Sequence, residues 1–359
     1  MTRTLLRDVR VYRDGVFGDP EDLAVEDGLI AADTTSDGDV AAVGGYLVPG
    51  LIDCHVHLSG RHTLELLAAH GVTTGLDMSS PAPLVDSLRG LAGLTDIRSP
   101  LIAAMSPDSA HGQRMRDVPG AAEGVVTGPG DAEAWVQRHV DQGADYLKVV
   151  VDLPGFDQET VDAIVAAAHE RGRLVVAHAS ALAAVDMAQR AGVDILTHAP
   201  LDRPVGAEQA AELAAAGTVV SPTLTMMKGI VDRLGGAPGR GPSYAAAQES
   251  VRTLHAAGVP IAAGTDANEA PSAPASPAFG TSLHEELSLL VEAGLTPAQA
   301  LDAATSVAAD HVGLTDRGRI RPGLRADLLL LDADPTVDIT ATRSIRGVWC
   351  AGQRVAAAS

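Results

Sequence analysis

The chain has 359 residues, 46% of them hydrophobic and 20% charged, with aromatics at only 3%. That length gives one large α/β domain or two domains with an ample, mainly aliphatic core, and the composition excludes intrinsic disorder. The net charge of −20 is spread along the sequence, which excludes nucleic acid as a partner because phosphate binding needs a basic surface.

The N-terminal stretch Met1–Asp8 is too charged, and its apolar run too short, for a signal peptide. No apolar run reaches the ~18 residues of a membrane span, so a cytoplasmic chain that neither crosses nor binds a membrane is expected. Two cysteines, Cys54 and Cys350, do not make a disulfide framework.

Residues 1–49 read as short strands, Leu5–Tyr12, Leu23–Ile30 and Val40–Leu47, with hairpin signals at Asp14-Gly15 and Asp27-Gly28. After residue 318 the same character returns, with strands at Ala326–Asp332 and Ile345–Cys350. Neither end has enough strands for a stable sheet alone, so both are expected to pair into one composite β-sandwich, residues 1–49 plus 319–359.

Residues 50–318 alternate strand and helix. The expected strands are Leu47–Leu58, Val72–Met78, Leu101–Ser106, Asp145–Val151, Leu174–His178, Ile195–His198, Val219–Thr223 and Ile261–Asp266. Ala-rich amphipathic stretches such as Gln158–Arg171, Ala181–Ala191, Ala207–Ala216 and Tyr244–Ala257 separate them, and Ser282–Ala293 and Thr296 to Ala309 follow. Eight such units match an α/β chain folded as a (β/α)8 TIM barrel, with a doubly wound open sheet as the alternative.

Functional groups in a barrel gather at the C-terminal ends of the strands. His55 and His57 end the first strand, where residues i and i+2 share a face about 6–7 Å apart and can converge on one metal ion. Cys54, between them, is expected to point away as a small core residue. Lys148 lies in an otherwise apolar fourth strand; His178, His198 and Asp266 close the fifth, sixth and eighth. The other histidines fall mostly in helical stretches, apart from His111 in the loop Ser106–Arg114 after the third strand.

These elements, with Val48-Pro49-Gly50-Leu51-Ile52-Asp53-Cys54-His55-Val56-His57, Gly264-Thr265-Asp266 and the tail Gly318–Leu328, resemble the amidohydrolase superfamily over nearly the whole chain, most of all its imidazolonepropionase-related and prolidase-like branch. The resemblance implies a metal-dependent hydrolase, a binuclear zinc amidohydrolase with two Zn2+ per protomer. His55, His57 and Asp266 would hold one ion and His178 and His198 the other, with carboxylated Lys148 and a hydroxide between them. Asp266 would also be the catalytic base, and His111, in the His111-Gly112 pair, would face the substrate.

Deaminase-like members carry a Glu three residues after the fifth-strand histidine, where this chain has Ala181; prolidase-like members carry an aromatic at the position of Ser180. The first difference argues against deamination and the second against a strict dipeptidase. The expected reaction is hydrolysis of a small-molecule amide: an N-acyl amino acid, a dipeptide-like compound or a cyclic amide. A lactone or ester hydrolase and a non-hydrolytic lyase or isomerase are the alternatives. Thr225–Lys228 and the Pro-rich Asn268–Phe279 are expected as substrate loops, and Arg61, Arg114 and Arg203 as candidates to hold a carboxylate. Whether the chain forms a homo-oligomer is left open.

Overall fold

Strand formation begins where alternation and turn chemistry agree. The computed structural model describes residues 3–34, 37–116, 118, 120–234 and 241–355. Strands β1 (Arg3–Arg13), β2 (Val16–Phe17), β3 (Glu21–Glu26) and β4 (Leu29–Ile30) form two hairpins. Their turns, Asp14-Gly15 and Asp27-Gly28, have positive φ at both residues, as tight two-residue hairpins require. The expected single strand Leu23–Ile30 is thus a hairpin. Val40–Leu47 is likewise split at Gly44-Gly45 into β5 (Asp39–Val43) and β6 (Tyr46–Pro49).

At Gly50 the chain leaves this sheet for the barrel, so the expected strand Leu47–Leu58 is also two. A side chain at Gly50 would collide with Thr73, which is why the corner needs glycine. The barrel strands are β7 (Leu51–Val56), β8 (Val72–Asp77), β9 (Asp96–Arg98), β10 (Leu147–Val150), β11 (Val175–His178), β12 (Ile195–Thr197) and β13 (Val219–Ser221). They form two parallel sheets, β7-β8-β9 and β10-β11-β12-β13.

Two irregular segments join these sheets into a ring. The expected third strand, Leu101–Ser106, makes only isolated bridges: the Ala104 N–H donates to Lys148 O, and the Val150 N–H to Ala104 O, each at 2.8 Å. The regular third pairing comes earlier, at β9, which the hydrophobic pattern did not mark. The expected eighth strand, Ile261–Asp266, is an extended link without a regular ladder. It is bonded on one side through Ala262 N–H to Val220 O, and on the other through Cys54 N–H to Ala263 O and Asp266 N–H to His55 O, all at 2.8–2.9 Å. The result is a (β/α)8 barrel with an added β domain.

Helices between the strands cover the ring because each buries one stripe. Helix Gln158–His169 starts where the Asp157 carboxylate accepts the Thr160 N–H, and buries Val161, Ile164, Val165 and Ala168 at helical spacing. The last expected helix starts at the Thr296/Gln299 capping box but is broken at Ala304-Thr305 into Pro297–Ala303 and Ser306–His311. Thr225–Lys228 is not a loop; it lies in helix Leu224–Leu234. Among the described residues no helix is long and apolar enough to cross a membrane.

The tail supplies β14 (Leu328–Leu331), β15 (Ile345–Cys350) and β16 (Gln353–Arg354). Both chain ends share one nine-stranded sheet, ordered β16-β15-β14-β6-β1-β3-β4, with β2 and β5 attached to β1. Strand β1 shifts register between Leu6 and Val9: its first part pairs with β3 and β5, its last part with β6. Leu6, Leu23 and Val25 therefore share a core with Leu47, Leu328, Leu330 and Trp349. Residues 356–359 of the expected tail lie outside the described residues.

Candidate metal centre

The ring closure decides what meets at the C-terminal ends of the strands. Strand β7 gains one residue relative to β8 between Asp53 and Val56. Such a bulge re-aims side chains and interrupts simple alternation. Across it the His55 and His57 rings stand 5.5 Å apart. Cys54 is buried in an apolar cluster with Ile52, Leu76, Met78, Tyr146 and Val176. The Asp53 carboxylate accepts the His55 N–H (3.1 Å), the Thr265 N–H (3.0 Å) and the Thr265 hydroxyl (2.7 Å), tying the end of β7 to the segment that carries Asp266. Burial pushes the Asp53 carboxyl up to about 7 against those bonds.

Asp266 lies 3.1 Å from His57 Nε2 and 3.4 Å from His55 Nε2 through one carboxylate oxygen. Its other oxygen is 4.0 Å from His198 Nδ1. One ligand atom from each of His55, His57 and Asp266 lies within 4.8 Å of the others, a group able to hold a metal ion. His178 and His198 are not in that group but adjoin it: the His198 ring is 4.9 Å from that of His55 and 4.4 Å from that of His178.

The electrostatics suit cation binding. Burial holds His55 and His178 well below the ordinary imidazole value, and His198 at about 3, so their ring nitrogens stay free of the extra proton. Burial alone would raise the Asp266 carboxyl; the hydrogen bond from His57, with Lys148 close by, outweighs it and holds the group low. Neutral imidazoles with an ionised carboxylate are the donor set of a borderline divalent cation such as zinc.

Lys148 is buried on β10. Its amine donates to Thr197 Oγ1 (3.2 Å) and Met78 Sδ (3.3 Å), and it makes no ion pair among the described residues. Burial lowers it to about 7 against the pull of Asp266 and Asp77.

His111 sits not in a loop but in the short helix Ala110–Met115, opened by the Ser109 side chain accepting the Gly112 N–H. Its ring is 6.1 Å from that of His178, and burial holds it at about 4. Asp152, which the sequence reading missed, joins the two: one oxygen accepts the His111 N–H at 3.1 Å, and the other is 3.6 Å from His178 Nε2. Of the three arginines considered for a carboxylate, Arg61 pairs with Glu65 (2.8 Å) and Arg203 stands beside Asp202 (3.9 Å). Arg114 follows His111 by one helical turn, and its charge helps to depress both His111 and His178. The Pro-rich segment Asn268–Phe279 is an irregular loop; Glu269 binds His62 and Ser59, and Arg233 donates to Ala273 O and Pro274 O.

Residues 46–355 match the amidohydrolase family. An imidazolonepropionase of Deinococcus deserti is 31% identical over 314 residues, covering 82% of this chain and 69% of its own. A solved Xaa-Pro dipeptidase with methionine in its active site is similar in fold, with a TM-score of 0.82 at 22% identity over 98% of this chain and 99% of its own. A putative prolidase from Bifidobacterium longum gives 0.83 at 24% identity, over 99% and 94%.

Proposed function

Because the chain belongs to the amidohydrolase family and is a hydrolase acting on C–N bonds, we propose that it cleaves the amide of a small molecule at a centre of two zinc ions. His55, His57 and Asp266 would hold one cation, and His178 and His198 the other, with Lys148 as the carbamate that would join the two groups. The observation that carries this reading is the convergence of His55, His57 and Asp266 beside two further histidines and a buried lysine that has no carboxylate partner among the described residues.

An ammonium is costly to bury unpaired and is no metal ligand. A lysine held near neutrality is the form that adds to CO2, losing a proton to leave an anion that can bridge two cations. When bound, paired divalent cations polarise a carbonyl and lower the pKa of water from ~15.7 towards ~7.

The chain's own groups do the rest. Asp266, held ionised, takes a proton and delivers it to the departing nitrogen. His111, held neutral and anchored through its backbone to Asp152, faces the substrate beside His178. Arg114, which has no ion pair among the described residues, gives that side of the site a guanidinium that favours substrates with a free carboxylate, such as N-acyl amino acids and dipeptide-like amides. The imidazolonepropionase relatives keep cyclic amides in the same group of candidates.

The test is a panel of N-acyl amino acids, Xaa-Pro dipeptides, cyclic amides and lactones, each acid also as its methyl ester, run in 18O water on zinc-loaded protein. The expected result is C–N cleavage with 18O in the new carboxylate, and a free acid preferred over its ester. Turnover of lactones alone, or a product without enzyme-catalysed 18O, would overturn the proposal.

A further inference from the structure

His198 is held by a residue that has given up its ordinary work. Thr223 precedes helix Leu224–Leu234, and its carbonyl accepts the Met227 N–H at 3.0 Å, which makes it the N-cap. An N-cap threonine normally turns its hydroxyl back to accept an N–H of the first turn. Here the Thr223 hydroxyl lies 2.8 Å from His198 Nδ1. Its backbone is in the left-handed region, φ 47°, where a β-branched residue is strained.

The first-turn N–H groups are satisfied by a carboxylate some sixty positions away in sequence. Glu286, on helix Thr281–Glu292, accepts the Leu224 N–H (2.9 Å), the Thr225 N–H (2.7 Å) and the Thr225 hydroxyl (2.8 Å). It is fully buried and has no cationic partner among the described residues. A buried carboxylate is an expensive cap, and Thr223, held in the left-handed region and not in the β region of an ordinary N-cap, does not supply one. The arrangement makes sense if the threonine hydroxyl is needed elsewhere.

We infer that Glu286 and Thr223 are positioning residues for His198: Glu286 clamps the first turn in place of the N-cap, leaving the Thr223 hydroxyl oxygen to accept a hydrogen bond from His198 Nδ1–H, so that Nε2 is the lone-pair nitrogen. The Nδ1 edge of the ring faces two oxygens, Thr223 Oγ1 at 2.8 Å and an Asp266 carboxylate oxygen at 4.0 Å; the hydroxyl can accept from that nitrogen, and the carboxylate, which only accepts, favours the proton there. An outer partner of this kind fixes ring orientation and tautomer. The consequence for metal binding rests on the reading that His198 holds a cation; the tautomer does not.

The experiment uses metal-free, 15N-histidine-labelled protein, with the His198 ring assigned by its loss in His198→Gln. Two-bond 1H–15N spectra should show the Nδ1–H tautomer in the natural protein and in Thr223→Ser. A mixture, or the Nε2–H form, is expected in Thr223→Val and in Glu286→Gln. Should Glu286→Gln not fold, Thr225→Val, which removes one of the three bonds to Glu286, takes its place. Zinc titration of Thr223→Val should weaken one site about 10–100-fold, with recovery in Thr223→Ser. An Nε2–H form in the natural protein, or an unchanged tautomer in Thr223→Val and the clamp variant, would overturn the inference. A natural protein that binds no second zinc but shows these tautomer shifts would instead sink the two-cation reading and leave the inference standing.

Discussion

Gly264→Ala crowds the backbone of His55 without replacing any proposed ligand. A Cβ there would lie 3.0 Å from the backbone nitrogen and Cβ of His55, and closer still to the Ser221 hydroxyl. The Ser221 hydroxyl is buried with no hydrogen-bond partner among the described residues and can rotate away for about 0.5–1.5 kcal/mol. His55 has no such freedom. The strand is bonded to the same segment on either side, through Cys54 N–H to Ala263 O and Asp266 N–H to His55 O. Strand and segment must part by a few tenths of an ångström, and overpacking of this kind costs about 1–3 kcal/mol. The same displacement falls on the 3.4 Å His55–Asp266 pair, in a site that tolerates about 0.5 Å. Urea unfolding and zinc titration read the two effects: a loss of about 1–3 kcal/mol and at least about tenfold weaker zinc binding. Adding Ser221→Gly should restore only part. Natural stability and zinc affinity in Gly264→Ala, or full recovery with Ser221→Gly, would refute the argument that the His55 backbone sets the limit.

Asp266→Asn keeps the side-chain shape and removes the base, so turnover should fall by about 10²–10⁴-fold or more; natural turnover would remove Asp266 from catalysis. His284, far from the site chemistry, gives a pH signature. Burial lowers it to about 4 despite its bond to His70 O. Its folded value lies below the unfolded value near 6.5, so the stability it supports is complete above pH 6.5 and is lost as the pH falls towards 4. At pH 5 the loss is about 2 kcal/mol relative to pH 8. In urea melts of metal-free protein, His284→Gln should flatten the profile by about that amount; an unchanged pH 8 to pH 5 difference would show that the imidazole is not held neutral.

Most of the barrel was legible because its strands are apolar runs bounded by glycine turns, and the site because ligand-type residues recur where those runs end. What stayed hidden depended on partners distant in sequence. Asp96–Arg98 alternates charge with a single isoleucine and is a strand only because β8 pairs with it. Ile261–Asp266 looks like a strand, but its bonds alternate between two neighbours instead of forming a ladder. Thr225–Lys228, the start of helix Leu224–Leu234, reads as a loop because it lacks a local cap; Glu286 supplies one from another helix. A signal for Glu286 existed, since it interrupts the apolar stripe Leu283, Leu287, Leu290 of its own helix. Asp152 could have been found by the rule that selected Lys148, because it lies just past the end of the same strand. The bulge in β7 had no signal in the sequence at all.

The proposed centre holds two cations bridged through Lys148. Elemental mass spectrometry of zinc per protomer, on protein expressed with zinc and kept from chelators, tests it most directly when run beside Lys148→Ala. The expected value is near two, falling to one or below in Lys148→Ala, with partial recovery on adding a small carboxylate. A value near one in the natural protein, or a metal content indifferent to Lys148, would contradict it.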